Sequence, residues 1–163
     1  QGLLLDLPAG VVEMSRSIAH LVETSSTPAL VESGDAELSI VQSTRSSSGP
    51  SLEAWTTRIT ALAESRGFRV AEGNGYPPWP PAPDAPLVGA YREAYRRTLQ
   101  GEPHVTAIHA GLECGVICSL KPGVQAISVG PDILSPHSTR ERVRVESVDR
   151  VWRVLGTLLE QLA

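Results

Sequence analysis

Lysine is almost missing from this chain: Lys121 is the single example among 163 residues, and the formal net charge is −4. That balance excludes the basic surface that nucleic-acid binders lay along phosphates. Arginine is present but dispersed. Its short clusters, at Arg92, Arg96 and Arg97 and at Arg140, Arg142 and Arg144, read as solvated faces. Cysteine is scarce too. Cys114 and Cys118 are the only two, which excludes a disulfide framework and points to a reducing cytoplasm. Their C-x3-C spacing puts both thiols on one helix face, as two small buried side chains or as a metal-ligand pair lacking a second pair. No run approaches the roughly 18 apolar residues that cross a membrane. No basic leader precedes Leu3, Leu4 and Leu5, and an opening on Gln1 reads as a strand entered midway in a longer protein.

What is present is core-forming material: 41% hydrophobic and 20% charged residues, enough for one domain or two small ones. The clearest boundary is the run from Gly73 to Pro86, whose six prolines forbid a helix or a central strand. It reads as a stiff, extended connection.

Before it, Leu3 to Leu7 suits a buried strand and Val11 to Ile18 a short helix. His20 to Glu32 and Ala36 to Thr44 read as a hairpin turning at Ser33-Gly34-Asp35. Gly49-Pro50-Ser51 opens a helix with Ser51 as cap, and Leu52, Trp55, Ile59 and Leu62 give it an apolar face. Gly67 ends it, and Phe68 to Val70 starts a last strand. This order, β-α-β-β-α-β, is the ferredoxin-like pattern in a mixed α/β chain. After the boundary, a helix is expected from Pro86 to Leu99, with strands at Val105–Ile108 and Val124–Val129. A final helix capped by Ser147 carries Val148, Val151, Trp152, Leu155, Leu158, Leu159 and Leu162 in one stripe. Two strands rarely stand alone, so this half is expected to lean on a further part.

Two loops carry candidate chemistry. His109-Ala-Gly-Leu-Glu-Cys-Gly115 follows an apolar strand and offers an imidazole, a carboxylate, a thiol and two glycines. The segment reads equally as a site or as a turn with a satisfied His and Glu. Gly130-Pro-Asp-Ile-Leu-Ser-Pro-His137-Ser138 is the second, with His137 held in a rigid stretch. A histidine binds metal only where other ligands converge, and the partners within this sequence are few: His104, His109, Glu113 and Asp132. No H-E-x-x-H helix, H-x-D motif, G-x-S-x-G elbow or glycine-rich phosphate loop occurs.

At these loops the chain resembles the aminoacyl-histidine dipeptidases (Xaa-His or cytosolic non-specific dipeptidases), within the two-zinc exopeptidases. The match rests on Ile108-His-Ala-Gly-Leu-Glu-Cys-Gly115 and Ser128-Val-Gly-Pro-Asp-Ile-Leu-Ser-Pro-His-Ser138. Gly10-Val-Val-Glu-Met-Ser15, Leu21-Val-Glu-Thr-Ser25, Thr44-Arg-Ser-Ser47 and Gly75-Tyr-Pro-Pro-Trp-Pro80 extend it along nearly the whole chain. Ser26-Thr27-Pro28 departs from the family's usual Leu-Asn-Leu-Gly.

The resemblance implies the second half of a lid and dimerisation domain over residues 1–77 and the closing part of a catalytic domain over 78–163. It implies two zinc ions about 3.5–4 Å apart that polarise the peptide carbonyl, a dipeptide substrate and a homodimer through the lid. His137 matches the family's last zinc ligand. Arg45 matches the arginine that holds the substrate's C-terminal carboxylate, and Gly111 and Glu113 lie in a substrate-contacting loop. The family's general base and other zinc ligands precede this segment, so no catalytic residue is assigned here. The fragment alone is expected to be inactive and not to hold zinc. The alternatives are a non-catalytic ferredoxin-like dimerisation or ligand-binding module, and a small single-metal enzyme built on His109, Glu113 and His137.

Overall fold

The computed structural model describes the chain except at positions 1, 17, 36 and 74. Gln1, Ser17 of the expected 11–18 helix, Ala36 of the second hairpin strand and Asn74 of the proline-rich run therefore lie outside the described residues. In chain order the elements are α1 (Gly2–Asp6), β1 (Gly10–Met14), β2 (Val22–Ser33), β3 (Leu38–Ser46), α2 (Gly49–Ser65), α3 (Pro86–Leu99), α4 (Glu113–Leu120), β4 (Ile133–Leu134), β5 (Arg142–Val143) and α5 (Val145–Leu162). They form two compact units, Gln1–Pro81 with Ala107–Pro122, and Ala82–Thr106 with Gly123–Ala163.

The first unit holds a three-stranded antiparallel sheet in the order β1-β2-β3, with α2 packed against β3. The mixed α/β class holds, but its elements are distributed differently from the expected ferredoxin-like order. Leu3 to Asp6 is helical: leucine is a strong helix former, and just past the helix the Leu7 N–H closes on the Leu3 carbonyl at 2.9 Å. Leu3 and Leu7 then meet Ala63, with Ile40, Ile59, Leu62 and Phe68 around them, and this cluster is the core of the unit. Residues 10–14 form a strand instead of a helix, because Val11 and Val12 are β-branched and stiff at χ1. Phe68 to Val70 joins no ladder. The Phe68 N–H is spent on the Ala63 carbonyl at 3.1 Å, where Gly67, at φ 80°, turns the chain out of α2.

The hairpin of β2 and β3 is present and bulges between Pro28 and Leu30, where the proline cannot donate to the ladder. Ser48, rather than Ser51, caps α2: its Oγ accepts the Ser51 N–H at 3.3 Å.

In the second unit α3 packs along α5. Ala94, Val154 and Leu158 are buried between them, flanked by Ala90, Tyr91, Tyr95 and Leu99. The stripe read along α5 is divided. Leu158 faces α3, while Trp152 and Leu159 are 76% and 68% exposed. The ladder of this unit is the two-residue ribbon β4–β5. The apolar runs at Val105–Ile108 and Val124–Val129 are not strands, since a strand needs a partner ladder and apolarity supplies none. Ser147 lies inside α5, not at its cap. It is buried, accepting the Asp132 N–H at 2.8 Å and donating to the Arg144 carbonyl.

Candidate functional site

The antiparallel register sets Thr24 opposite Ser46, Ser25 opposite Arg45 and Ser26 opposite Thr44. Because side chains alternate across a strand, Thr24 and Ser26 share one face of the sheet and Ser25 takes the other. The first face is buried and polar. Thr24 Oγ1 lies 2.8 Å from Ser46 Oγ, and Ser26 Oγ lies 2.7 Å from Thr44 Oγ1. Gln42 donates its side-chain amide to Ser26 Oγ and to the Pro8 carbonyl. Glu13 accepts the Trp55 indole N–H at 3.0 Å, which, with help from Ser51 and Thr24, holds its carboxyl below the usual carboxylate range. This face fastens the sheet to α2.

The second face carries the candidate site. Arg45 is exposed on β3, and Ser25 stands opposite it. His109, 84 positions further along, brings Nε2 to 2.7 Å from Ser25 Oγ. Burial lowers the pKa of the His109 ring, the Arg45 guanidinium lowers it further, and a hydrogen bond to the Val22 backbone opposes both. Sequence reasoning singled out Arg45 and the 109–115 loop but missed Ser25. The signal lay in the strand alternation, which places residue 25 on the face opposite its buried neighbours Thr24 and Ser26.

The rest of the loop is fixed by the proline-rich segment, which is a packing surface here as well as a connection. A side chain at Gly111 would stand 2.5 Å from the Tyr76 ring, and one at Gly115 would stand 2.9 Å from the Pro77 carbonyl oxygen and 3.2 Å from Trp79 Cβ. At Gly115 only glycine lets the two backbones approach so closely, whereas at Gly111 the missing side chain leaves room for the Tyr76 ring. Glu113 opens α4, exposed in its first turn, where a carboxylate suits the helix dipole. Cys114 and Cys118 are half-buried thiols on this helix and are not joined in a disulfide.

His137 belongs to the second unit and is exposed in the turn after β4. Its φ of 59° is a left-handed conformation that a side chain rarely adopts, and its N–H donates to Glu141 Oε2 at 2.8 Å. Asp132 is engaged by Arg150 at 2.8 Å and Arg144 at 3.8 Å. Arg45, His109, Gly111 and Glu113 thus fall in one unit and His137 in the other. Among the described residues no three His, Cys, Asp or Glu side chains gather as a metal set. The residues present therefore do not by themselves fit a zinc centre.

The fold is that of a peptidase domain. It matches the crystal structure of aminoacylhistidine dipeptidase from Vibrio alginolyticus with a TM-score of 0.83 and 29% sequence identity, over 98% of this chain and 32% of that one. Aminopeptidase PepT from Bacillus cereus matches with a TM-score of 0.76 over 97% of this chain and 43% of that one, and at 18% identity it bears on the fold alone. No family model matches the chain. In sequence it is 32% identical over 160 residues to the cytosol non-specific dipeptidase of Escherichia coli (strain K12), covering 98% of this chain and 33% of that enzyme. The chain is a homologue of these dipeptidases and spans about a third of their length.

Proposed function

We propose that the chain serves a zinc-dependent dipeptidase whose substrates include Xaa-His dipeptides, supplying carboxylate recognition and one metal ligand. The observation that carries this reading is the continuous match, over 98% of the chain, to a cytosol non-specific dipeptidase. Arg45 holds the substrate's C-terminal carboxylate, for which the planar guanidinium offers two parallel donors. The Gly111 backbone and Glu113 line the same substrate, and His137 is the zinc ligand. Residues 1–77 act as the second half of the lid and 78–163 as the closing part of the catalytic domain. The zinc set draws on ligands beyond this sequence, and the 163 residues alone do not turn over substrate.

Several features support the reading. Leu30 and Val41, directly paired on the distal part of the β2–β3 hairpin, are 49% and 50% exposed, an apolar pair suited to homodimer formation. Both cysteines are unbridged, as in a reducing cytoplasm, and no helix among the described residues is long and apolar enough to cross a membrane.

The test is a chimera in which this chain replaces the matched third of the Escherichia coli dipeptidase. It should hydrolyse an Xaa-His dipeptide and bind zinc. Arg45→Ala should raise KM, and His137→Ala should lower zinc content. A folded, zinc-loaded chimera without dipeptide turnover would overturn the reading, as would turnover by the isolated chain with added zinc for its inactivity. A chimera that is dead while the isolated chain dimerises would favour the non-catalytic module.

A further inference from the structure

We infer that Ser25, Arg45 and His109 form one carboxylate-binding site, in which His109 decides which way the Ser25 hydroxyl points. The inference rests on the reading of Arg45 as a carboxylate anchor and adds two residues to it.

The geometry comes from the sheet. Ser25 and Arg45 are directly paired on β2 and β3, so their side chains leave the same face with Cβ atoms about 4.5–5.5 Å apart. His109 Nε2 lies 2.7 Å from Ser25 Oγ, the direct cross-strand neighbour of Arg45, and within electrostatic reach of that guanidinium. A guanidinium, a hydroxyl and an imidazole thus share one exposed to half-buried surface. β2 contributes to the ring's surroundings the neutral Ser25 hydroxyl and the Val22 backbone, and β3 contributes the charged Arg45.

The hydroxyl carries a single proton. In the unliganded site the neutral ring gives its N–H to the Val22 backbone, which leaves Nε2 as an acceptor. Ser25 then donates to Nε2 and has no proton to offer an anion. A carboxylate seated on Arg45 changes both terms. It offsets the guanidinium charge that disfavours the imidazolium, and it supplies a second acceptor for the hydroxyl. His109 takes up a proton from solvent at Nε2 and donates it towards Ser25 Oγ, and the Ser25 O–H turns to the carboxylate. One proton enters the protein, no covalent bond to the ligand forms, and the anion is held by charge-assisted donors from two strands. An uncharged amide gains none of this, so the site separates free carboxylates from internal peptide.

The experiment uses the full 163-residue chain, with N-acetylglycine as the probe and N-acetylglycinamide as the neutral control. Ring nitrogen and proton shifts of His109 are followed by NMR at several pH values. N-acetylglycine should raise the His109 titration midpoint and bind with uptake of a proton, and the amide should do neither. Arg45→Ala should weaken binding at least tenfold, and Ser25→Ala or His109→Gln should weaken it by about ten- to a hundredfold, the usual range for a hydrogen bond to a charged group. Ser25→Thr, which keeps the hydroxyl, should restore it.

If Arg45→Ala abolishes binding while Ser25→Ala, His109→Gln and the His109 midpoint show no response, the inference falls and the reading of Arg45 survives. If the chain binds acid and amide alike, both fall. The ring titration of the unsubstituted chain decides the matter even where a variant does not fold.

Discussion

Ser25 Oγ and His109 Nε2 meet at 2.7 Å although 84 positions separate them, which ties a strand of the sheet to the glycine-containing loop. Burial and then Arg45 depress the pKa of that ring. Its folded value therefore lies below the unfolded value of about 6.5. The sign follows: the neutral ring's contribution is present above the unfolded value and is lost as pH falls towards the folded one. Arg45→Ala should move the NMR titration midpoint of His109 up, towards the ordinary value, and so shrink this acid-side loss of stability, because the gap between the folded and unfolded values narrows. A midpoint unchanged by removal of the guanidinium would contradict the placement of Arg45 beside the ring.

Glu13 gives the opposite pH signature. Its carboxylate accepts the Trp55 indole N–H and, at longer range, the Thr24 hydroxyl, and its pKa is lowered, with the nearby Ser51 hydroxyl contributing. A depressed carboxylate stabilises the fold above its unfolded pKa, about 4.3, and loses that contribution as pH falls through the folded value. Glu13→Gln should flatten the acid limb of a stability-against-pH curve and leave the neutral limb parallel to the original. The Trp55 emission spectrum should shift in the same variant, since the indole N–H loses its charged acceptor.

The two loop glycines should respond unequally to alanine. At Gly115 the new methyl meets backbone, the Pro77 carbonyl at 2.9 Å, and backbone cannot swing aside. At Gly111 it meets the ring of Tyr76, a side chain that is itself exposed and can rotate away. Gly115→Ala should cost about 1–3 kcal/mol in chemical denaturation, the usual range for overpacking. Gly111→Ala should cost clearly less. Equal costs would mean that the 109–115 loop does not lie on the Tyr76–Trp79 segment as described.

These contacts show where the sequence was readable. Helix α3 was legible to the residue, because Pro86 fixes its first turn and its apolar positions recur at three- and four-residue steps. The hairpin was legible from its turn. Leu3–Leu7 and Val11–Met14 exchanged roles because runs this short carry too few periods to separate helix from strand, leaving side-chain branching to decide. Val105–Ile108 and Val124–Val129 were apolar enough for strands, yet apolarity names no partner. The site was half legible: Arg45 and the 109–115 loop came from motif resemblance, whereas the Ser25–His109 contact depends on tertiary packing that spacing does not encode.

The divided face of α5 yields the last prediction. Leu158 is 6% exposed, packed against α3 beside Ala94 and Val154, while Trp152 on the same helix is 76% exposed. Truncating Leu158 to alanine leaves a cavity between two helices, and the cost should be about 2–5 kcal/mol. Trp152→Lys removes a side chain that touches little within the unit, so the isolated chain should keep its stability to within about 0.5 kcal/mol. It should also gain solubility, because it breaks an apolar patch with Leu159. In the full-length chimera the same lysine should behave differently. If the surrounding enzyme covers this face, burying an unpaired ammonium is costly, and the chimera should lose expression or melt earlier by differential scanning calorimetry. Trp152→Lys tolerated equally in both proteins would show that the face stays open to solvent in the larger enzyme, and the exposed stripe would then need another occupant.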